Sequence, residues 1–286
     1  MSEEKTQQKV AVVTGCSSGI GLETALELAR NNYKVYATMR NLSKKTEIKE
    51  VSDSENLEIE CIGLDVKDDN SVKNAVLTIL ENEGHVDVLI NNAGYGIIGG
   101  IEDTSIEETK EIFDTIYFGA VRMIQNILPI MKKQSSGQII NIGSLAGKIG
   151  FGFFSSYVST KFALDGLTQS LRQELQGTGI DVSIIEPGAV TTNFHKNMKT
   201  ANNAINTPEK KEFIDLLKKQ TEKIFTIAFE PKHIAQKIIK VLNEKNTLPC
   251  YSVGRDAERL MIDKKRLSPL DFEKAVNKFF EDIMNI

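Results

Sequence analysis

Ser144, Tyr157 and Lys161 are the residues whose types and spacing could do chemistry. Tyr157 stands thirteen positions after the serine and Lys161 four after the tyrosine. On a helix, residues four apart project from one face one turn from each other, which sets a phenol beside an ammonium. A free tyrosine keeps its proton to about pH 10, but a neighbouring cation favours the phenolate and brings it toward neutral acid/base work. Ser144 adds a hydroxyl that can hydrogen-bond a carbonyl or alkoxide oxygen, so the three groups could polarise and protonate one atom. Tyrosine and lysine at this spacing also occur on helices that do nothing, so the elements around them must decide.

Those elements can be read from periodicity. Residues 137–142 are a near-continuous apolar, β-branched run, the pattern of a buried parallel strand, and Ser144 lies at its carboxyl end, where open α/β sheets place ligands. Beyond it, Leu164, Leu167, Leu171 and Leu175 recur at three and four residues, predicting a helix over 155–175 that carries Tyr157 and Lys161. Near the N-terminus a short apolar strand at 9–14 runs into Gly15-Cys16-Ser17-Ser18-Gly19-Ile20-Gly21, after which 22–30 has helical spacing. Strand, glycine turn and helix suit a pyrophosphate, because glycines admit a close backbone approach and the helix start offers free N–H groups and a positive dipole end. Gly15, Ser17, Ser18, Gly19, Ile20 and Gly21 are therefore candidate cofactor contacts. A second strand, 34–38, ends at Met39-Arg40, where such folds read the adenosine ribose. An acid there would favour NAD. Arg40 can instead fork onto a 2′-phosphate, which points to NADP(H).

Strands and helices go on alternating: helix 42–51, strand 57–64, helix 70–80, strand 86–90, a capping box at Ser105 opening a long helix to about 131, strand 180–185, helix 231–243, strand 250–253 and a helical tail. That rhythm predicts a doubly wound parallel α/β sheet, Rossmann-like, of about seven strands with helices on both faces. Asp65-Val66 and Asn91-Asn92-Ala93-Gly94 then fall at carboxyl ends along the cofactor crevice, with Asp65 able to accept from an adenine amino group. Glu186-Pro187-Gly188-Ala189-Val190-Thr191-Thr192, after the sixth strand, forms a turn that could hold the nicotinamide carboxamide. Residues 193–229 break the rhythm with a lysine-rich stretch carrying Phe213, Ile214, Leu216, Leu217, Ile224 and Phe225, read as a helical lid over an apolar substrate.

Composition narrows the classes. The 286 residues are 41% hydrophobic and 26% charged, and no linker divides them, so one domain is expected. A net charge of −4 argues against a nucleic-acid surface. The polar start and the lack of a long apolar run give no signal peptide and no membrane span, so the chain is expected in the cytoplasm. Cys16, Cys61 and Cys250 have no metal or redox spacing and read as reduced small hydrophobes. His85, His195 and His233 show no metal-ligand spacing either, and His195 is expected at the surface.

Thr14-Gly15-Cys16-Ser17-Ser18-Gly19-Ile20-Gly21, Asn91-Asn92-Ala93-Gly94, Ser144, Tyr157 with Lys161, and Pro187-Gly188 stand together in order, and over residues 8–255 the chain resembles the short-chain dehydrogenase/reductase family. The glycine turn with Val35-Tyr36-Ala37-Thr38-Met39-Arg40-Asn41 is similar to its hydroxysteroid and retinol dehydrogenase branch. The resemblance implies Tyr157 as general acid/base, Lys161 lowering its pKa and holding the nicotinamide ribose, and Ser144 orienting the substrate oxygen. It implies that Asn91 and Gly94 support the adenosine half of NADP(H), beside Asp65, Val66 and Ala93 on the same crevice, and that Pro187, Gly188, Val190 and Thr192 support the nicotinamide half. Leu145, Phe151, Phe153 and Phe154 flank Ser144 and Tyr157, so a steroid-, retinoid- or bulky ketone-like carbonyl or secondary alcohol is the expected substrate, and a homodimer or homotetramer is the expected assembly. One position departs from the family: Ile116 stands where an asparagine usually holds a water linking the lysine to solvent. A weakly active or non-catalytic NADP(H)-binding regulator on the same fold, and a methyltransferase-type nucleotide fold, are the competing classes; Tyr157 and Lys161 speak against both.

Overall fold

The protein is described by a computed structural model covering residues 8–226 and 228–284. Most of the polar N-terminal stretch, and the side chains of Ile224 and Phe225 named for the lid, lie outside the described residues.

Strand β1 (Val10–Thr14) is buried along its whole length and lies next to the central strand of the sheet. Around it lie, in chain order, α1 (Gly19–Arg30), β2 (Lys34–Met39), α2 (Thr46–Glu55), β3 (Ile59–Gly63), α3 (Asp69–Glu83), β4 (Val88–Asn91), β5 (Ile97–Ile98), α4 (Ile106–Phe113), α5 (Gly119–Gln134), β6 (Gly137–Ile142), α6 (Ser155–Glu174), β7 (Ile180–Pro187), β8 (Lys199–Thr200), α7 (Pro208–Thr226), α8 (Pro231–Leu242), β9 (Cys250–Val253), α9 (Arg255–Arg266) and α10 (Pro269–Met284). The main sheet is parallel, in the order β3-β2-β1-β4-β6-β7-β9. Because successive strand residues face opposite sides, Ala11 and Val13 join α1 and α8 in one apolar layer, while Val10 and Val12 join α3, α5 and α6 in the other. The chain winds outward from β1 one way and from β4 the other, so a crevice opens above their carboxyl ends.

Several boundaries differ from the periodic reading. The helix expected at 42–51 is a short 3₁₀ turn, Leu42–Lys44, followed by α2, because the Asn41 side chain accepts from the Ser43 N–H at 3.0 Å and closes a local turn first. The third strand is trimmed to an edge piece, α2 ending at Asn56 in the left-handed region with φ 54°. The capping box at Ser105 and Glu108 forms as expected, but the long helix it opens is interrupted by a π turn, Asp114–Phe118, with Ile116 at its centre. The 193–229 segment is anchored as well as helical. Its β8 pairs with β5, and Ile214 and Leu217 of α7 pack with Ile97, Ile98 and Leu164. The tail helices α9 and α10 pack Leu260 and Val276 against Leu145 and Ile149, bracing the loop after Ser144 from below. Among the described residues no helix is long and apolar enough to cross a membrane.

Candidate active site

The glycine turn between β1 and α1 is built for close approach. Gly15 and Gly19 hold φ of 74° and 63°, a region that strains any residue with a Cβ. The start of α1 carries no acid in its first turn and its N-cap, Ser18, makes no side-chain cap bond, so the helix offers its terminal N–H groups outward. Asn92 stitches this turn to the end of β4, donating from Nδ2 to the carbonyls of Thr14 at 2.9 Å and Gly15 at 3.2 Å. Thr14 Oγ1 returns the bond, accepting from the N–H groups of Asn92 and Ala93 at 2.9 and 3.0 Å. From this turn a cleft of about 870 Å³ runs past Arg40, Asp65, Val66, Ala93 and Gly94 to Ser144, Tyr157 and Lys161, and ends among Phe151, Phe153, Phe154 and Phe194. Its volume suits a dinucleotide half-enclosed beside a small-molecule substrate.

Ser144 follows β6 and caps a 3₁₀ turn, Leu145–Gly147, its Oγ accepting from the Ala146 N–H at 3.1 Å. Tyr157 and Lys161 stand one turn apart on α6, and the lysine Nζ lies 5.7 Å from the phenol ring centroid. Lys161 is buried and donates to the carbonyl of Ile142, the last residue of β6, at 2.8 Å. Burial governs both titrating groups. It pushes the Tyr157 phenol up to about 12, with Ser144, which hydrogen-bonds it, pulling the other way. It brings the Lys161 ammonium down to about 8. The expected lowering of the tyrosine by the lysine is thus reversed, since the loss of water around the phenol outweighs a cation that faces the ring and bonds a carbonyl. At neutral pH Tyr157 holds its proton, the form required of a donor.

The cleft gathers the other expected contacts with two exceptions. Ser17, Ser18, Ile20, Pro187, Gly188, Val190 and Thr192 all line it, and Thr192 closes on the glycine turn, its Cβ 3.2 Å from where a Cβ on Gly19 would sit. Gly21 does not reach the wall; a Cβ there would strike Asn92 Nδ2 and the Gly15 carbonyl, so this glycine serves packing. Asn91 points behind the cleft, donating from Nδ2 to Asn141 Oδ1 at 2.9 Å in a buried ladder that continues to Thr168. Its neighbour Asn92 takes the place on the wall. His195 is half-buried, not at the surface as expected, and the ring of the preceding Phe194 lies 5.6 Å from that of Tyr157. Lys44, Tyr95 and Met198 also line the cleft and were not singled out from sequence. Lys44 could have been, as a second cation one short turn past Arg40. Among the described residues no group of three or more His, Cys, Asp or Glu side chains could hold a metal.

A strand-end serine, a tyrosine and lysine on the next helix, and a glycine cradle thus open on one cleft. Residues 9–203 match the profile of the short chain dehydrogenases. The chain belongs to the short-chain dehydrogenase/reductase family. It is 35% identical over 257 residues to the probable short-chain type dehydrogenase/reductase VdlC of Helicobacter pylori, covering 88% of this chain and 90% of that one. With human retinol dehydrogenase 8 it shares 37% over 246 residues, 82% of this chain and 78% of the relative, which supports the hydroxysteroid and retinol branch. A short-chain dehydrogenase structure from Streptomyces avermitilis superposes with a TM-score of 0.81 at 31% identity, over 98% of this chain and 100% of that one. Structures of the same fold hold NADP in some cases and NAD in another. The protein is therefore an oxidoreductase of this family, a nucleotide-binding fold that acts on small molecules.

Proposed function

We propose that this oxidoreductase uses NADP(H) to interconvert a carbonyl and a secondary alcohol on a largely apolar substrate of steroid, retinoid or bulky ketone type. The observation that carries it is one cleft joining the glycine cradle and Arg40 to Ser144, Tyr157 and Lys161, and these to a wall of phenylalanines. When bound, the nicotinamide supplies or accepts the hydride. The chain does the rest. The cradle of Gly15 to Ile20 and the free start of α1 bind a pyrophosphate; Asp65, Val66, Ala93 and Gly94 flank the adenosine; Pro187, Gly188, Val190 and Thr192 shape the far side. Arg40 is exposed, has no carboxylate partner among the described residues and shares its end of the cleft with Lys44, which supports binding of a 2′-phosphate. In reduction Ser144 Oγ hydrogen-bonds the substrate oxygen and Tyr157 Oη delivers the proton, leaving a phenolate that Lys161 stabilises. Phe151, Phe153, Phe154 and Phe194 exclude water from that oxygen.

The same reading takes residues 1–286 as one domain with a lid over 193–229, in a cytoplasmic homodimer or homotetramer. Cofactor consumption over a panel of ketones, aldehydes and secondary alcohols tests the activity. Turnover of steroids, retinoids or bulky aliphatic ketones is expected, while turnover of only small sugars or hydroxy acids would overturn the substrate class. NADPH binding without turnover of any of them would favour the regulator, a reading that Ile116 keeps in play.

A further inference from the structure

Behind the cleft, and outside its lining, lies a buried cluster of charge that the chemistry above does not use. Lys148, just after the Ser144 turn, sets its Nζ 2.7 Å from Asp165 Oδ2 and 3.2 Å from Glu186 Oε1. Asp165 is one turn past Lys161 on α6, and Glu186 is the residue before Pro187 at the end of β7. The cluster therefore ties together the three segments that carry Ser144, Tyr157 with Lys161, and the Pro187-Gly188 turn. Its charges do not balance. Two carboxylates share one ammonium, Glu186 is 1% exposed, and apart from Lys148 neither of its carboxylate oxygens has a hydrogen-bond donor among the described residues. Gln169 donates to Asp165 at 2.9 Å, so the second carboxylate is the better satisfied.

We propose that Glu186 is a positioning residue whose protonation state, acting through Lys148, sets how firmly the Pro187-Gly188 turn and the Ser144 loop are held around the cofactor. Ionised, Glu186 draws Lys148 between two carboxylates and pulls the Ser144 loop toward the end of β7. Protonated, it releases Lys148 to Asp165 alone and the link across the three segments loosens. Burial pushes the Glu186 carboxyl up to about 7, and Lys148 pulls it back down. The surrounding groups act on it from each packed element. Asp165 of α6 raises it and Lys264 of α9, which donates to the Lys148 carbonyl, lowers it. Cys250 of β9 faces the cluster with its thiol pushed up by burial and by Glu186, and Lys265 of α9 acts on that thiol in the opposite sense. Lys148 itself is raised by its two carboxylates despite its burial, so it stays charged throughout.

The inference rests on the cofactor reading above, and titration of NADPH by fluorescence between pH 5.5 and 8.5 tests it. Binding by the wild-type protein should tighten by about fivefold from acid to alkaline pH as Glu186 ionises, the lower end of couplings between sites. The Glu186→Gln protein should stay at the weak value with a flatter profile; the cofactor's own phosphate titration is common to both proteins and cancels. A second readout needs no cofactor. The folded-state pKa of Glu186 lies above its unfolded value, so its contribution to stability is fully present below about pH 4.5 and is lost as pH rises through about 7. The wild-type melting temperature should therefore fall relative to Glu186→Gln across that window. If that variant does not fold, Asp165→Asn removes the like charge and should move the wild-type inflection in NADPH affinity to lower pH. Identical affinity profiles for wild type and Glu186→Gln, or an inflection that Asp165→Asn leaves in place, would overturn the proposal. Absence of NADPH binding at every pH would instead sink the cofactor reading.

Discussion

Ile116→Asn introduces the asparagine that the family resemblance implies at this position, and its consequences can be worked from the packing. Ile116 is 3% exposed and packs with Ile97, Ile98, Ile112 and Leu164. Beside it is a cavity of about 10 Å³ bounded by Thr14, Asn91, Thr115 and Lys161, about the room one water needs. Asn91 Oδ1 lies buried there without a hydrogen-bond partner among the described residues. Losing the isoleucine forfeits about 1.5–3 kcal/mol of apolar burial. A hydrogen bond from the new amide to Asn91 Oδ1 returns about 0.5–1.5 kcal/mol. The net loss, between about 0 and about 2.5 kcal/mol, predicts a melting temperature lower by up to roughly 10 °C in a chain of this size. An isoleucine cannot bond water, so our hypothesis is that reprotonation of Tyr157 through Lys161 limits turnover at neutral pH. The variant should then show kcat raised by up to about tenfold, about 1.4 kcal/mol off the barrier, and a smaller solvent deuterium isotope effect. The single-turnover rate should stay near its wild-type value. A folded Ile116→Asn protein, melting within the stated range, with kcat and isotope effect both unaltered would refute a limiting relay.

Two further outcomes follow from the cleft. NADPH should bind at least about tenfold tighter than NADH, about 1.4 kcal/mol and within one charge-assisted contact, and Arg40→Glu should reverse the order; equal affinities by calorimetric titration would count against Arg40 as the phosphate reader. Tyr157→Phe should cut kcat by about 10²–10⁴ with cofactor affinity nearly intact, whereas Lys161→Met should damage both, as steady-state kinetics and fluorescence titration will report.

What the sequence made legible were features governed by short-range rules. A six-residue run carrying three isoleucines and a leucine repeat suffice to put Ser144 at a strand end and Tyr157 beside Lys161 on a helix, and the structure brings all three to one cleft. Features that depend on register or depth were not legible. Asn91 and Asn92 are adjacent, and only the pairing of Asn91 with Asn141 decides which of them faces inward. Gly21 looks like any glycine of the turn until Asn92 is folded against it. The direction of the Tyr157 shift turns on how much water the cleft admits, a property of the tertiary shape. Lys148, Asp165 and Glu186 come from three separate segments, and nothing local marks them as neighbours. The π turn at Asp114–Phe118 sits in an otherwise ordinary helical pattern.

The strand order β3-β2-β1-β4 also bears on how the chain is made. While it leaves the ribosome, β1 can pair with β2 early, but its other neighbour arrives only with Val88–Asn91, more than seventy residues later, at Val13↔Ile90 and its adjoining pairs. Until then the glycine turn lacks the Asn92 bonds to Thr14 and Gly15, and β1 presents an open apolar edge. Non-local parallel pairing of this kind forms slowly, because loop closure must precede the contacts that reward it. The nascent chain is thus most exposed to aggregation between synthesis of its first hundred residues and docking of β4, and a nucleotide can shelter it only once that docking has completed the cradle.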